Sequence, residues 1–594
     1  MSPLLKIKRM GPGRIKMDTK RNILAIIMVL VVILITPKYI DWITPDINPN
    51  TVQTTLDDNV VENNSTNTAV EDEFTTPVEI KEPVFSPVIV GDDRFISVET
   101  PLYSAEISIA KGGAFTQFKP KRVGNGGGYY YGGYDARGGY SKDQPVNLVG
   151  FDTEGCTPCL QDGDGQLLSG FSTDLEVSSF VLTDENLVIN LYVSDHPVFG
   201  TVSKQLVFSP NSYVVEHNYD FTNASMKALD YIEFAWKGGL RPTEEKEVDD
   251  VQTSAVIISQ NGEIDDLNLD KKKVVYKKLE GDTDWISIRS KYFISALFSN
   301  NQAQYGTWQS VNEKSFAGRE DTPVFDETLG FQAHVNRLNV SVYLGPQDAD
   351  QLSLAKESLE NSMYWGWSWI RPISKFVLWL LKFLHVPFSN VTINYGIVLI
   401  LFAFLIRIVT GPLMKKSAKS TQKMQMIQPK IKAVQAKFKS DPTKMNAEVM
   451  KLYKLHGVNP VGGCLPMLIQ MPLLIALFSV FRNTIEFRGV PFFGWIADLS
   501  QPDVIFTLPF SIPIYGSGVA ILPIVMGLTM FFQQKISTAT ADSSQKPMMY
   551  MMTGFFFLLF NGFPSGLNLY YAVSNILNII QQKRIRTELE LKKA

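Results

Sequence analysis

GIVLILFAFLIRIVTGPLMKK occupies residues 396–416. Eleven uncharged residues lead into Arg407, three more follow, and a Gly-Pro break and paired lysines close the stretch. An apolar run that ends in lysines reads as a membrane span with its positive end in the cytoplasm. The arginine is the anomaly, because a charge near the bilayer centre costs from about 3 to more than 10 kcal/mol. So expensive a residue normally faces protein interior or water.

Working outward, five candidate spans fill the C-terminal part of the chain, at about 394–411, 461–481, 518–534, 547–562 and 564–582. Charges are confined to their connections, which argues against buried helices of a soluble protein. The third and fourth are short for a hydrocarbon slab of roughly 30 Å. Segment 502–516, apolar but broken by prolines, is expected to be a loop. Arg407 is the only charge inside the five spans, so none of the others offers it a carboxylate. It either snorkels to the interface near Lys415 or sits in a hydrated groove open to the cytoplasm. The last span favours the groove. Asn568, Tyr571, Asn575 and Asn578, spaced 3, 4 and 3, share one helix face, with Ser574 adjacent. Gln470 and Gln533 add polar groups from the third and fourth spans of the whole chain. Polar contacts between helices are the alternative use of this stripe.

Upstream, seven lysines and arginines within residues 1–21 precede the apolar run Ile23–Ile35. No small-residue cleavage pattern follows, so 22–40 is expected to be an uncleaved anchor with a cytoplasmic N-terminus. Residues 41–90, rich in Asn, Thr, Asp, Glu and Pro, are too polar to fold and form a linker. From about 91 to 350 the apolar period is two. Leu187, Ile189, Leu191 and Val193 alternate with other residues, as do Tyr213–Phe221 and Leu338–Leu344. Many such runs separated by Gly, Asn and Asp turns indicate a β-sandwich, which the anchor places outside the cytoplasm. Between 361 and 390 the period turns helical, with Trp365, Trp367 and Trp369 at its start. That segment lies in the membrane interface or packs on the sandwich.

Charge tests the topology. Residues 412–460 hold eleven lysines against Asp441 and Glu448, and the tail 583–594 is also basic. The loop 483–517 has Arg488 against three acidic residues. Six spans with both termini inside satisfy the positive-inside rule. Within 413–458 the spacing of Met424, Ile427, Ile431, Val434 and Phe438 predicts one arm of a helical hairpin, and Asp441 with Pro442 starts the second. The lysines either dock a ribosome, a polypeptide or anionic lipid headgroups, or only enforce topology.

Signs of catalysis do not emerge. The glycine-rich stretch 124–140 has no P-loop ending, the five histidines are scattered and there is no HExxH. Neither a cofactor nor a metal is expected, the chain is not read as an enzyme, and a net charge of −3 points to no nucleic acid. Cys156 and Cys159 have redox spacing but precede no expected helix, so they form a local loop disulfide or remain free thiols.

NYG at 394–396, QPKI at 428–431, NPVGGCLPMLIQMP at 459–472, MGLTMFFQQK at 526–535 and FPSGLNLYYAVSN at 563–575 closely resemble the YidC membrane-protein insertase family. The resemblance is strongest over the five-span core. It implies an insertase and folding chaperone of the bacterial inner membrane, working alone or with the Sec translocon on nascent membrane proteins. It implies a groove arginine at Arg407 and a substrate-contacting aromatic at Tyr571. Gly396, Leu474, Met526 and Leu559 fall where the family contacts substrate or is sensitive to change. Ala403 stands where some relatives carry Thr.

The expected architecture is therefore a multi-domain membrane protein: a periplasmic all-β sandwich and a core of five transmembrane helices over 394–582, preceded by one anchor helix. Two other functions compete. A small-molecule or anion transporter would use Arg407 as an intramembrane site, though no internal repeat is seen. An anchored carbohydrate or peptide binder would place the activity in the sandwich.

Overall fold

The computed structural model describes residues 88–591 apart from 91–94, 124–126, 136–137, 151–154, 169–175, 184–185, 197–199, 224–228, 246–249, 251–252, 268–274, 312–323, 387–391, 459–464, 514 and 539–545. The basic N-terminus 1–21, the anchor 22–40, the linker up to residue 87 and residues 592–594 of the tail lie outside the described residues. Contacts divide the chain into two units, 1–80 with 512–514, and 81–511 with 515–594. The β-rich region and the helices belong to the second.

The first part of this second unit is β-rich. Among the described residues, one antiparallel sheet of four strands runs in chain order from Val88 to Pro120, and a second sheet has twelve strands. Alternation makes these strands. In Phe95–Glu99, Ile96 and Val98 are fully buried while their neighbours are half-buried. In Val214–Asp220, His217 pairs with Leu206 on one side and Val340 on the other, which places this strand inside the large sheet. The two sheets share one core. The Phe115 ring meets His217 at 6.0 Å and Trp236 at 6.4 Å, and the Tyr213 hydroxyl donates to Lys121 O at 2.6 Å. Cys156 and Cys159 are joined as a buried disulfide beside Ala235.

The strand Arg337–Pro346 leads into α1 (Ala349–Ala355), whose first N–H groups are accepted by the Asp348 carboxylate. α2 (Arg371–His385) follows, with Pro372 in its first turn. Val377, Leu378 and Leu381 face inward, while Phe376, Trp379 and Phe383 stack in an exposed ladder at 5.8 Å spacings. α2 packs on two helices downstream, α3 (Tyr395–Lys437) and α5 (Leu465–Asn483).

α3 corrects the expected break at Gly411-Pro412. The helix continues through Pro412 and Pro429, so span and first hairpin arm form one element of 43 residues. Proline removes one backbone donor, and neighbours on both sides keep the rest of the ladder in place. Asp441 caps α4 (Pro442–Leu455) by accepting from Lys444 N at 3.1 Å, and Ile427, Ile431 and Val458 form a small core in the hairpin. α6 (Ile521–Thr538), α7 (Lys546–Phe560) and α8 (Ser565–Leu591) complete the region. α8 packs against both α3 and α6. Helices thus stand at all five expected core positions. By length and composition alone, one helix among the described residues, Tyr395–Ser420, could cross a membrane.

The expected loop at 502–516 is a strand pair instead, Val504–Ile512 with Gly516–Ala520. Pro509 reads as a break in the sequence, but a two-stranded ribbon is all edge, where proline is tolerated, and Pro513 falls in the turn after the first strand.

Buried charges join the β-rich part to the helices. Arg488, in the connection after α5, donates from Nε to Glu244 at 2.9 Å and from its other nitrogens to the carbonyls of Tyr131, Gly132 and Thr243. Gln501 donates to the second oxygen of Glu244 at 2.7 Å. Nearby, Lys382 of α2 meets Asp348 at 3.0 Å, Asp350 at 2.8 Å and Glu486 at 3.1 Å. Burial opposes the Lys382 charge, but the three carboxylates outweigh it and hold the ammonium above the ordinary lysine range.

Candidate functional site

The site begins with α3. Asn394 caps it, its side-chain oxygen accepting from Gly396 N at 2.8 Å. Gly396 is required there because an added Cβ would overlap the Phe492 ring. Eleven residues further, roughly 16 Å along the axis, Arg407 turns towards α8 and donates from Nη2 to the side-chain oxygen of Asn578. Its Nε is buried and finds no partner. No carboxylate among the described residues pairs with it.

Beside the guanidinium lies a small open depression, about 40 Å³ of which can hold water-sized molecules. Ala403, Arg407, Thr410 and Met414 line it from α3 at spacings of 4, 3 and 4, which is one helix face. Ile406 and Leu413 flank them, Gln470 and Leu473 contribute from α5, and Ser574 from α8. A cationic group, an amide and two hydroxyls therefore share a hollow whose other walls are apolar.

Of the residues singled out in the sequence, Ala403, Arg407, Gln470 and Ser574 line this hollow, and Asn578 holds the arginine. The rest are placed elsewhere. Asn568 is fully buried and donates to Phe560 O at 3.2 Å and Phe563 O at 3.3 Å, closing the C-terminal end of α7. Asn575 donates to Thr529 on α6 at 3.4 Å. Gln533 and Tyr571 each carry a buried oxygen without a partner, and the Tyr571 ring meets Phe560 edge-on at 5.7 Å. Met526 is buried, and Leu474 and Leu559 are half-buried. Ile406, Thr410, Leu413, Met414 and Leu473 went unmarked in the sequence. Thr410 and Met414 were findable, since counting three and seven residues on from Arg407 reaches both.

Residues 387–593 match the family model described as 60Kd inner membrane protein, and residues 173–380 match that described as YidC periplasmic domain. The chain is 34% identical over 518 residues to a membrane protein insertase YidC of Chloroherpeton thalassium, covering 84% of each chain. A protein of the same name from Pelodictyon phaeoclathratiforme is 37% identical over 384 residues, 63% of this chain and 64% of its own length. A solved structure described as an active YidC insertase with its first transmembrane domain resolved shares 18% identity at a TM-score of 0.32. That match covers 84% of this chain and 94% of the other.

Proposed function

The chain belongs to the YidC family of membrane protein insertases, and from that premise we propose how its geometry inserts a polypeptide. It is an inner-membrane protein with a periplasmic β-rich domain, and its substrates are nascent membrane proteins. In our reading the hollow beside Arg407 opens to the cytoplasm and receives the polar segment of a substrate. The observation that carries this reading is a guanidinium held by a neutral amide, next to space that water can enter.

A hydrated hollow shortens the dry path that a polar loop must cross. α6 and α7 shorten it further, since 18 and 15 residues span roughly 27 and 22 Å against about 30 Å of hydrocarbon. The substrate's apolar segments then partition into lipid at roughly 25 cal/mol per Å². No nucleotide is consumed and no bond is made, so the activity is non-enzymatic.

Six spans, with both termini in the cytoplasm, fit this scheme: an anchor over 22–40, then α3, α5, α6, α7 and α8. The segments are the linker 41–90, whose last three residues already form the strand Val88–Val90, the β domain 91–350, the interfacial helix 361–390, the core 394–582 and the tail 583–594. Basic residues of the 413–458 hairpin and the tail face ribosomes and anionic phospholipids, and the Sec translocon is a partner on the membrane side. The deciding experiment reconstitutes the purified protein in liposomes with a short two-span substrate. Arg407→Ala is expected to insert less than the wild type, and an equal yield overturns the groove.

A further inference from the structure

We propose that the strand pair Val504–Ile512 and Gly516–Ala520 is a membrane-seated element, lying in the headgroup boundary of the periplasmic leaflet beside α6. Four observations lead there. The first is composition: from Val504 to Gln534 the chain carries no charged residue. The second is exposure on both faces. Successive residues of a strand point to opposite sides, yet Ile505 is 50% exposed and Phe506 is 52% exposed. Val504 at 45% and Phe510 at 61% extend the pattern. A strand with one side in water and one on a core alternates apolar with polar, and this one does not.

The third observation is its rigid footing. The Asp503 carboxylate accepts from the Trp495 indole and from Leu522 N, in the first turn of α6, both at 2.8 Å. Asn561, just past α7, donates to Tyr515 O at 2.8 Å and Gly518 O at 2.7 Å and accepts from Ala520 N at 3.3 Å. Ala520 is followed directly by Ile521 of α6. The hairpin cannot swing free of the helix ends, so their depth fixes its own.

The fourth is a liability that needs an answer. A long, apolar, uncharged edge strand in water is a template for aggregation, and proteins blunt such edges with lysine or charge. Here only Pro509 interrupts it. Lipid supplies the missing cover. Depth follows from the same edge: its unpaired N–H and C=O groups are too costly in the hydrocarbon, so the ribbon stops where water and headgroups still reach them.

The proposal rests on the reading that α6 and α7 cross the membrane, and its test separates the two. Full-length protein with Cys464→Ser is labelled with an environment-sensitive fluorophore at single cysteines and placed in vesicles containing brominated phosphatidylcholine. Phe506→Cys and Phe510→Cys report on the hairpin, Leu528→Cys on the exposed side of α6, and Leu354→Cys on an exposed position of α1. Quenching by bromolipid at 506 and 510 is expected to match that at 528 and to exceed that at 354 several-fold. Iodide quenching should run the opposite way. Labels at 506 and 510 that iodide reaches as freely as 354 place the hairpin in water and overturn the proposal. Labels that neither quencher reaches overturn it too, because another protein surface then covers the strand. If 528 escapes the bromines, the spanning reading of α6 falls, while the hairpin still stands or falls on 506 and 510. None of these readouts depends on insertion activity.

Discussion

Arg488 and Glu244 lie 244 residues apart and meet at 2.9 Å, each side chain 5% exposed. One comes from the connection after α5 and the other from the β-rich domain, so this pair fastens the two parts of the protein. Removing one partner of a buried pair costs about 3–5 kcal/mol when the other charge is left uncompensated; here Glu244 keeps Lys291 at 3.7 Å, so the cost falls towards the low end. Arg488→Ala also orphans three carbonyls. It is expected to lower the unfolding midpoint in detergent and to open the joint to protease. An unchanged cleavage pattern would show that the pair holds nothing.

Gly396 tests packing against substrate contact. Gly396→Ala drives a methyl into the Phe492 ring, and overpacking of this kind costs roughly 1–3 kcal/mol. Phe492→Ala should restore both stability and insertion in the double variant. If insertion stays low while stability returns, Gly396 acts on the substrate itself.

Asn578, the neutral partner of Arg407, is where the net charge of the site can be changed. Asn578→Asp keeps the contact with Arg407 and places a carboxylate on it, which cancels the net positive charge. Two substrates with the same apolar spans, one with an acidic loop and one with a neutral loop, make the comparison. The acidic one should insert several-fold less than with the wild-type protein, and the neutral one about as well. An equal fall for both would assign Asn578 to packing alone.

Lys204 makes the β domain sensitive to alkali in an unusual direction. It is fully buried, donates to Gly112 O at 2.7 Å, and burial pushes its ammonium down to about 7. The unfolded chain, with an ordinary lysine near 10.4, binds more protons over the interval between the two values. Stability therefore rises as pH climbs from about 7 to about 10 and is lowest below 7, a difference on the order of 4 kcal/mol. His217, also buried and held well below its usual range, adds slope in the same direction on the acid side. Thermal unfolding of the intact protein against pH should show this rise, and Lys204→Met should flatten it and raise the midpoint at pH 7.

Local rules made much of the fold legible. The alternation over Tyr213–Phe221 and Leu338–Leu344 marks strands now seen at Val214–Asp220 and Arg337–Pro346. A capping aspartate followed by proline marks the start of α4. What local rules missed depends on distant neighbours. Pro412 looks like a stop, but packing carries α3 through it. Pro509 looks like a loop residue, but an edge strand accommodates it. The spacing of Asn568, Asn575 and Asn578 is a true helix stripe. Period alone says nothing of which neighbour each turn meets, and here the three asparagines serve α7, α6 and α3 in turn.

The unbroken course of α3 makes it a lever. From Arg407 to its last residue, Lys437, the helix runs thirty residues, roughly 45 Å. A tilt of about 5° pivoting at the arginine sweeps the far tip through roughly 4 Å. Any tilt of the helix about Arg407 is therefore magnified at the hairpin, and a displacement of several ångströms there corresponds to only a few degrees at the guanidinium.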